Sequence, residues 1–433
     1  MAQERATSSG RRALLLTAAL DRPRLLTLLD QGVVAAASFA TTLIVGRVCG
    51  KEELGLYLVA ITLLGLVMEF QEVLIWLPYT YFRPRLPASK VAAYTGSVLL
   101  QQAAFSLLAL PFLGLVAYLL VRQGAHPGLA AVPTTLLATG LGIYFLEFCR
   151  RMYFAHLEMG KALGVDLVAS GLRIGGLILL AWLGSLSASL ALWVFSLAGG
   201  VVGALWLADN RRQLTISFPS TRIAFSRHWT FGKWILGGNL ALNLSNYFFP
   251  WLLAARGEVN AVGLLAACLS VVGFVNPIIV GSRNFLTPKA VRVFGTGSAQ
   301  EMRHFVLVNT LLVGGLVGGV CLLVAVGGDR LIRLLYGPQF AGQGLVLALL
   351  AVQVWLSALP LAVDCGIWAL GRPDVNCKIY QVRLLATLSL GLLLTHALGL
   401  IGVALAMLLN SALVLALQSW WYFRLLSTRQ EKG

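Results

Sequence analysis

The sequence predicts an all-α membrane protein of about twelve transmembrane helices in two six-helix bundles, on three grounds. First, 58% of its 433 residues are hydrophobic and only 12% are charged, with a mean hydropathy of +0.82. That leaves too little polar surface to cover a soluble globule of this length. Second, apolar runs of about 18 residues or more recur along the whole chain, each long enough to cross a hydrocarbon core of about 30 Å as a helix. They lack the period of two that a barrel would need. Third, the positive charges alternate between successive connections, as described below.

The expected spans are residues 30–48, 55–77, 91–121, 129–150, 162–183, 186–207, 232–253, 262–285, 303–326, 344–370, 379–397 and 399–423. With these spans, 26 of the 33 Lys and Arg fall in the tails and even-numbered loops. Six (Arg47, Lys51, Arg122, Arg256, Arg330 and Arg333) fall in the odd-numbered loops, and Arg173 lies inside a span. The positive-inside rule then places both termini in the cytoplasm of a multi-pass protein of the inner (plasma) membrane. It also turns the formal charge of +16 into a topology signal, with some attraction to anionic membrane lipids, rather than a nucleic-acid footprint. No nucleic-acid partner is expected.

Residues 1–29 read as a cytoplasmic tail. The apolar run at 13–20 in that tail is too short for a signal peptide and is broken by Asp21, Arg22 and Pro23, which suits an interfacial segment. Residues 30–208 form the N-terminal six-helix half, and the polar interval 209–231 is the linker. The C-terminal half spans 232–424, and 425–433 is a second cytoplasmic tail. The halves share a weak repeat. GRVCGKEELGLYLVAITLLGLV resembles ARGEVNAVGLLAACLSVVGFV, aligning Gly55-Leu56 with Gly263-Leu264, and YFRPRL resembles NFLTPKAVRV. Six being even, both halves enter the membrane in the same sense, so the repeats are parallel and substrate is expected between them. The six cysteines are dispersed without a CxxC pair, so neither a disulfide framework nor a metal site is expected.

Charges within spans cost roughly 2.5–3.5 kcal/mol each on insertion scales, so each one needs a partner, a wet cavity or a function. They are Asp30, Arg47, Glu69, Glu72, Glu147, Asp166, Arg173, Arg256 and Asp364. Arg47 and Arg256 occupy matching places at the outer ends of the first helix of each half, where they either bind an anionic substrate or snorkel to the interface. Asp166 and Arg173 are two helical turns apart and share a face with Ser170. With Glu147 one helix earlier, and Arg150 and Arg151 about one turn further toward the cytoplasm, they form either an internal salt-bridge network joining the fourth and fifth helices or a substrate contact. Asn239, Asn243 and Asn246 make a polar stripe at i, i+4, i+7 that suits a cavity reading hydroxyls, or interhelical hydrogen bonding. Asp30, Glu147, Asp166 and Asp364 are candidates for ion coupling or internal salt bridges. Acidic groups inside the spans outnumber basic ones.

No P-loop, HExxH, GxSxG or Ser/His/Asp set is present, and no long outer loop is expected to host catalysis. The chain therefore reads as a non-enzyme without a cofactor. Three segments carry a family resemblance. LLDQGVVAAASFATTLIVGRVCGKEELGLYLVA, with Gly50, Gly55 and Tyr57 in its turn, resembles the start of Wzx-type polysaccharide flippases. These form a branch of the multidrug/oligosaccharidyl-lipid/polysaccharide exporter superfamily. RLIRLLYGPQFAGQGLVLALLAVQVWLSALP resembles their hallmark before helix ten, and the Pro288-Lys289 loop is similar too. The resemblance implies a MATE-like fold and alternating-access transfer of an undecaprenyl-pyrophosphate-linked oligosaccharide to the periplasmic leaflet for O-antigen or exopolysaccharide synthesis. It also implies glycosyltransferases and a polymerase as assembly partners. An ion-coupled small-molecule exporter of the multidrug type is the alternative.

Overall fold

The structure, a computed structural model, describes residues 2–122, 126–211, 214–296 and 299–430. The side chains of residues 2–24, including the interfacial segment expected at 13–20, lie outside that description, as do those of 121, 234, 296, 299 and 428–430. Every regular element among the described residues is helical. Among the described residues, nine segments are long and apolar enough to cross a membrane. Three of them contain a glycine outside helical geometry, Gly50, Gly328 and Gly399; the breaks at Gly50 and Gly399 each leave two long helices, and Phe218–Ala255 is a further helix of 38 residues.

The helices are α1 (2–49), α2 (51–71), α3 (Ala88–Arg122), α4 (Pro127–Ala155), α5 (Met159–Trp182) and α6 (Ala188–Asn210). They continue as α7 (Phe218–Ala255), α8 (259–296), α9 (Ala299–Tyr336, broken at Gly328), α10 (344–369), α11 (373–398) and α12 (400–430). Gly50 takes φ 90° and ψ −173°, and Gly399 φ 57° and ψ −130°. A side chain would be strained at such angles, so glycine lets each helix end and the next begin without a loop. The second break is a tight antiparallel hairpin, since Asn410 donates to the Thr387 hydroxyl at 3.1 Å across it.

Three helices are interrupted where the sequence suggested unbroken spans. α2 runs on into a π-helical turn at Glu72–Trp76 and then a short helix, Leu77–Phe82, with Pro78 in its first turn. α8 passes through a 3₁₀ turn at Gly273–Val275 before Pro277, and α10 breaks ahead of Pro360. Proline removes a backbone donor and clashes with the preceding turn, so each interruption has a local cause. Two boundaries also move. α7 begins at Phe218, inside the interval read as linker, and the α1 helix runs back through the expected tail to Ala2.

The halves meet most closely at the end opposite the termini. A Cβ on Gly55 of α2 would overlap the Val259 carbonyl of α8, and one on Gly263 of α8 would overlap the Lys51 carbonyl. The repeat aligned Gly55 with Gly263, and the same offset aligns Lys51 with Val259. The contact is therefore reciprocal about the pseudo-two-fold axis, small residues letting two backbones touch. The segment between α9 and α10 reinforces this closure. Tyr336 and Phe340 are fully buried, the Tyr336 hydroxyl bonds Ser270, and Gln339 donates to the Gly46 carbonyl at 3.4 Å. At the termini end, α7 packs on α3, where the Tyr94 hydroxyl bonds His228 at 2.7 Å. α1 and α8 stand further apart there and leave a cleft.

Candidate functional site

The cleft is organised by two consecutive arginines near the end of α4. Arg150 pairs with Asp166 of α5 at 2.5 Å, Asp30 of α1 at 3.2 Å and Glu147, one turn earlier, at 3.2 Å. Arg151 pairs with Glu147 at 2.8 Å and with Glu72 of the π-helical turn at 3.1 Å. Four helices are thereby tied at one level. The Asp30 and Asp166 side chains are only 1% and 5% exposed. Five donors in a planar fork allow one guanidinium to serve three carboxylates on three helices, which an ammonium could not do. Four carboxylates against two guanidiniums give the network a formal charge of −2.

Two adjoining cavities open from this network. The first, about 480 Å³, lies between the halves and is lined by Gln31, Glu72, Trp76, Arg150, Arg151 and Asn284. The second, about 770 Å³, lies between the start of α1 and the second part of α8, with Leu28, Phe285, Pro288, Lys289 and Arg292 on its wall. Thr27 and Asn284 line both, so a polar chamber adjoins a basic, largely apolar one. Lys289 makes no ion pair among the described residues; its ammonium stands 5.5 Å from the Phe285 ring centre.

The other residues singled out in the sequence are dispersed. Arg173 does not meet Asp166. Its guanidinium turns to α1, donating to the Thr41 hydroxyl at 2.8 Å and the Ala37 carbonyl at 2.9 Å, and stacks on Phe195 at 4.6 Å. It lines neither cavity. Arg47 and Arg256 sit at the closed end: Arg47 caps the Leu334 and Leu335 carbonyls at 3.3 and 3.2 Å, and Arg256 pairs with Glu258 at 2.9 Å. The Asn stripe divides. Asn239 and Asn243 face Glu69 of α2, with Asn243 also bonding the Asn239 carbonyl at 3.1 Å, while Asn246 accepts from Arg383 at 2.7 Å. Asp364 accepts from Asn376 at 2.7 Å and pairs with Arg283 of α8 at 3.3 Å.

Arg150 and Arg151 stand about one turn beyond Glu147, as the sequence sets them, and both are engaged in ion pairs. Arg383 is the residue that sequence reasoning passed over. Arg383, counted above with the basic residues of the loop before the eleventh span, lies five positions inside that span, and its depth alone could have marked it. Arg173→Met keeps the length of the side chain but loses both charged hydrogen bonds. With about 1.5–3 kcal/mol for each such bond, the purified variant should melt several degrees below the native protein.

No family model matches the sequence, and no curated protein matches it. Solved structures do. A multidrug resistance MATE family transporter of the MOP superfamily, in its inward-facing conformation, superposes with a TM-score of 0.78 at 14% identity, over 92% of this chain and 96% of that one. This chain has the MATE-type transporter fold. The lipid II flippase MurJ, inward closed, gives 0.71 at 12% identity, over 92% of this chain and 87% of that one. A variant of the Vibrio cholerae MATE transporter VcmN gives 0.64 at 20% identity, over 95% and 98%. An outward-facing MATE family structure also gives 0.64, at 14% identity over 95% and 96%. The higher agreement with the inward-facing form accords with an arrangement tight at the end opposite the termini and cleft at the other.

Proposed function

We propose that the chain is a flippase that moves an undecaprenyl-pyrophosphate-linked oligosaccharide from the cytoplasmic to the periplasmic leaflet by alternating access. The observation that carries this reading is that the two cavities adjoin, with Thr27 and Asn284 in the wall of both. An amphipathic lipid-linked glycan needs a polar chamber for its sugars, positive charge for its pyrophosphate and an apolar exit for its tail. The 480 Å³ chamber offers Gln31, Asn284 and the arginine pair to hydroxyls. Lys289 and Arg292 border the adjoining 770 Å³ gap, where the apolar Leu28 and Phe285 are half exposed. The pyrophosphate is assigned to this basic gap rather than to Arg150, whose charge three carboxylates already balance. The excess of Lys and Arg in the tails and even-numbered loops supports a cytoplasmic position for this end, where such lipids are loaded.

The test is translocation of an undecaprenyl-pyrophosphate oligosaccharide in proteoliposomes. Lys289→Gln with Arg292→Gln should slow transfer at least tenfold, while Arg256→Ala, at the closed end, should transfer normally. Equal rates in all three proteins would remove the pyrophosphate assignment. One observation favours a multidrug-type exporter instead: the formal −2 network beside Trp76 and Phe154 suits an organic cation. Uptake of a cationic dye by the same vesicles, without glycan transfer, would decide for that reading.

A further inference from the structure

A third cavity lies wholly within the C-terminal half. It measures about 120 Å³ and is walled by α7, α8, α10, α11 and α12, with Arg283, Arg383, Asp364, Ser357, Ser411 and Tyr380 on its surface. Two guanidiniums face one carboxylate, and that carboxylate is already satisfied. Asp364 accepts from Asn376 and Gln418 on one oxygen and pairs with Arg283 on the other. The local formal charge is +1. Among the described residues Arg383 has only the neutral Asn246 amide oxygen as acceptor, and its Nε is buried with no partner. A guanidinium deep in a span with an unfilled donor is an expensive arrangement unless an anion completes it.

The size of the cavity limits what can enter. At about 120 Å³ it has room for a small cluster of waters, a carboxylate or a phosphate group. Ser357, Ser411 and Tyr380 supply hydroxyls around that volume. Arg283 is half exposed, and Asn284, its neighbour on α8, lines the central chamber. A charged group carried by a ligand in the chamber therefore lies one residue from this pocket.

We propose that the pocket binds one oxyanion, a carboxylate or phosphate group, between Arg283 and Arg383, and that it reads acidic substituents on the transported headgroup. The second half rests on the flippase reading; the binding itself does not. The test is calorimetric titration of the purified full-length protein with glucuronate and with inorganic phosphate, and with glucose as the neutral control. Glucuronate should bind and glucose should not, and Arg383→Gln should weaken binding at least tenfold. Asn246→Asp keeps the shape and the arginine but sets a carboxylate on the free guanidinium, so it should weaken binding comparably in a protein that remains folded. Binding of phosphate without glucuronate would support an oxyanion site filled from solution and overturn the headgroup assignment. Failure of both anions to bind, or equal binding by native protein and variants, would overturn the site. Because the readout is binding by isolated protein, it does not depend on whether lipid-linked glycan crosses a vesicle membrane.

Discussion

Arg150→Met should cost the fold about 3–5 kcal/mol, the range for removing one partner of a buried ion pair, and sharply reduce the yield of monodisperse protein. The cause is the three carboxylates left behind. Asp30 and Asp166 are almost fully buried and have no other cation within pairing distance among the described residues; Glu147 keeps Arg151. Uncompensated charge at that depth is costlier than the pair was favourable, which is the asymmetry that makes single removals severe. Arg151→Met should cost far less, about 1 kcal/mol or below, because that side chain is 41% exposed and Glu147 retains Arg150. The decisive comparison is a triple variant, Arg150→Met with Asp30→Asn and Asp166→Asn, which removes the orphaned charges together with their cation. Its melting temperature should recover most of the loss. A single variant as stable as the native protein, or a triple variant no better than the single, would defeat the electrostatic account.

The network also shows what the sequence could and could not disclose. Asp30, Glu147 and Asp166 stand out in one dimension because a carboxylate within an apolar run is conspicuous. Their common partner is ambiguous, because Arg150 sits near the end of α4, where a basic residue one turn beyond Glu147 reads both as a member of the network and as a loop charge. Spacing misdirects in one place. Asp166 and Arg173, seven residues apart, share a helix face, yet one turns to α4 and the other to a backbone carbonyl of α1. Periodicity fixes the face of a helix but not which neighbour that face meets. Arg47 and Arg256 match in the repeat and do lie at the same end, but each is engaged by local acceptors rather than by a shared cavity. The crossings and the pairing of Gly55 with Gly263 were legible because hydropathy, loop charge and internal repetition are properties of the linear chain. The cavities were not, since each is enclosed by side chains from helices far apart in sequence.

Gly263→Val should part the two halves at the end opposite the termini. The Lys51 carbonyl already occupies the place a Cβ would take, and the reciprocal overlap at Gly55 is with the Val259 carbonyl. Backbone cannot swing aside as a side chain can, so α2 and α8 must separate. That displacement penalises the state closed at this end and leaves an alternative open there comparatively favoured, a population shift rather than unfolding. Cys49, one residue before the Gly50 break and half-buried with its Sγ 3.4 Å from the Leu186 carbonyl, reports on this region. Its labelling by a membrane-impermeant maleimide should rise several-fold in Gly263→Val. Gly55→Val should act in the same direction, since the two contacts are related by the pseudo-two-fold axis. Gly315→Val serves as the control: a Cβ there meets open space, so labelling should stay at the native rate. Unchanged labelling in both interface variants, with folded protein by size exclusion, would mean that the reciprocal glycines do not hold this end shut. Enhanced labelling with slower glycan transfer would place the barrier of the transport cycle at their re-closure.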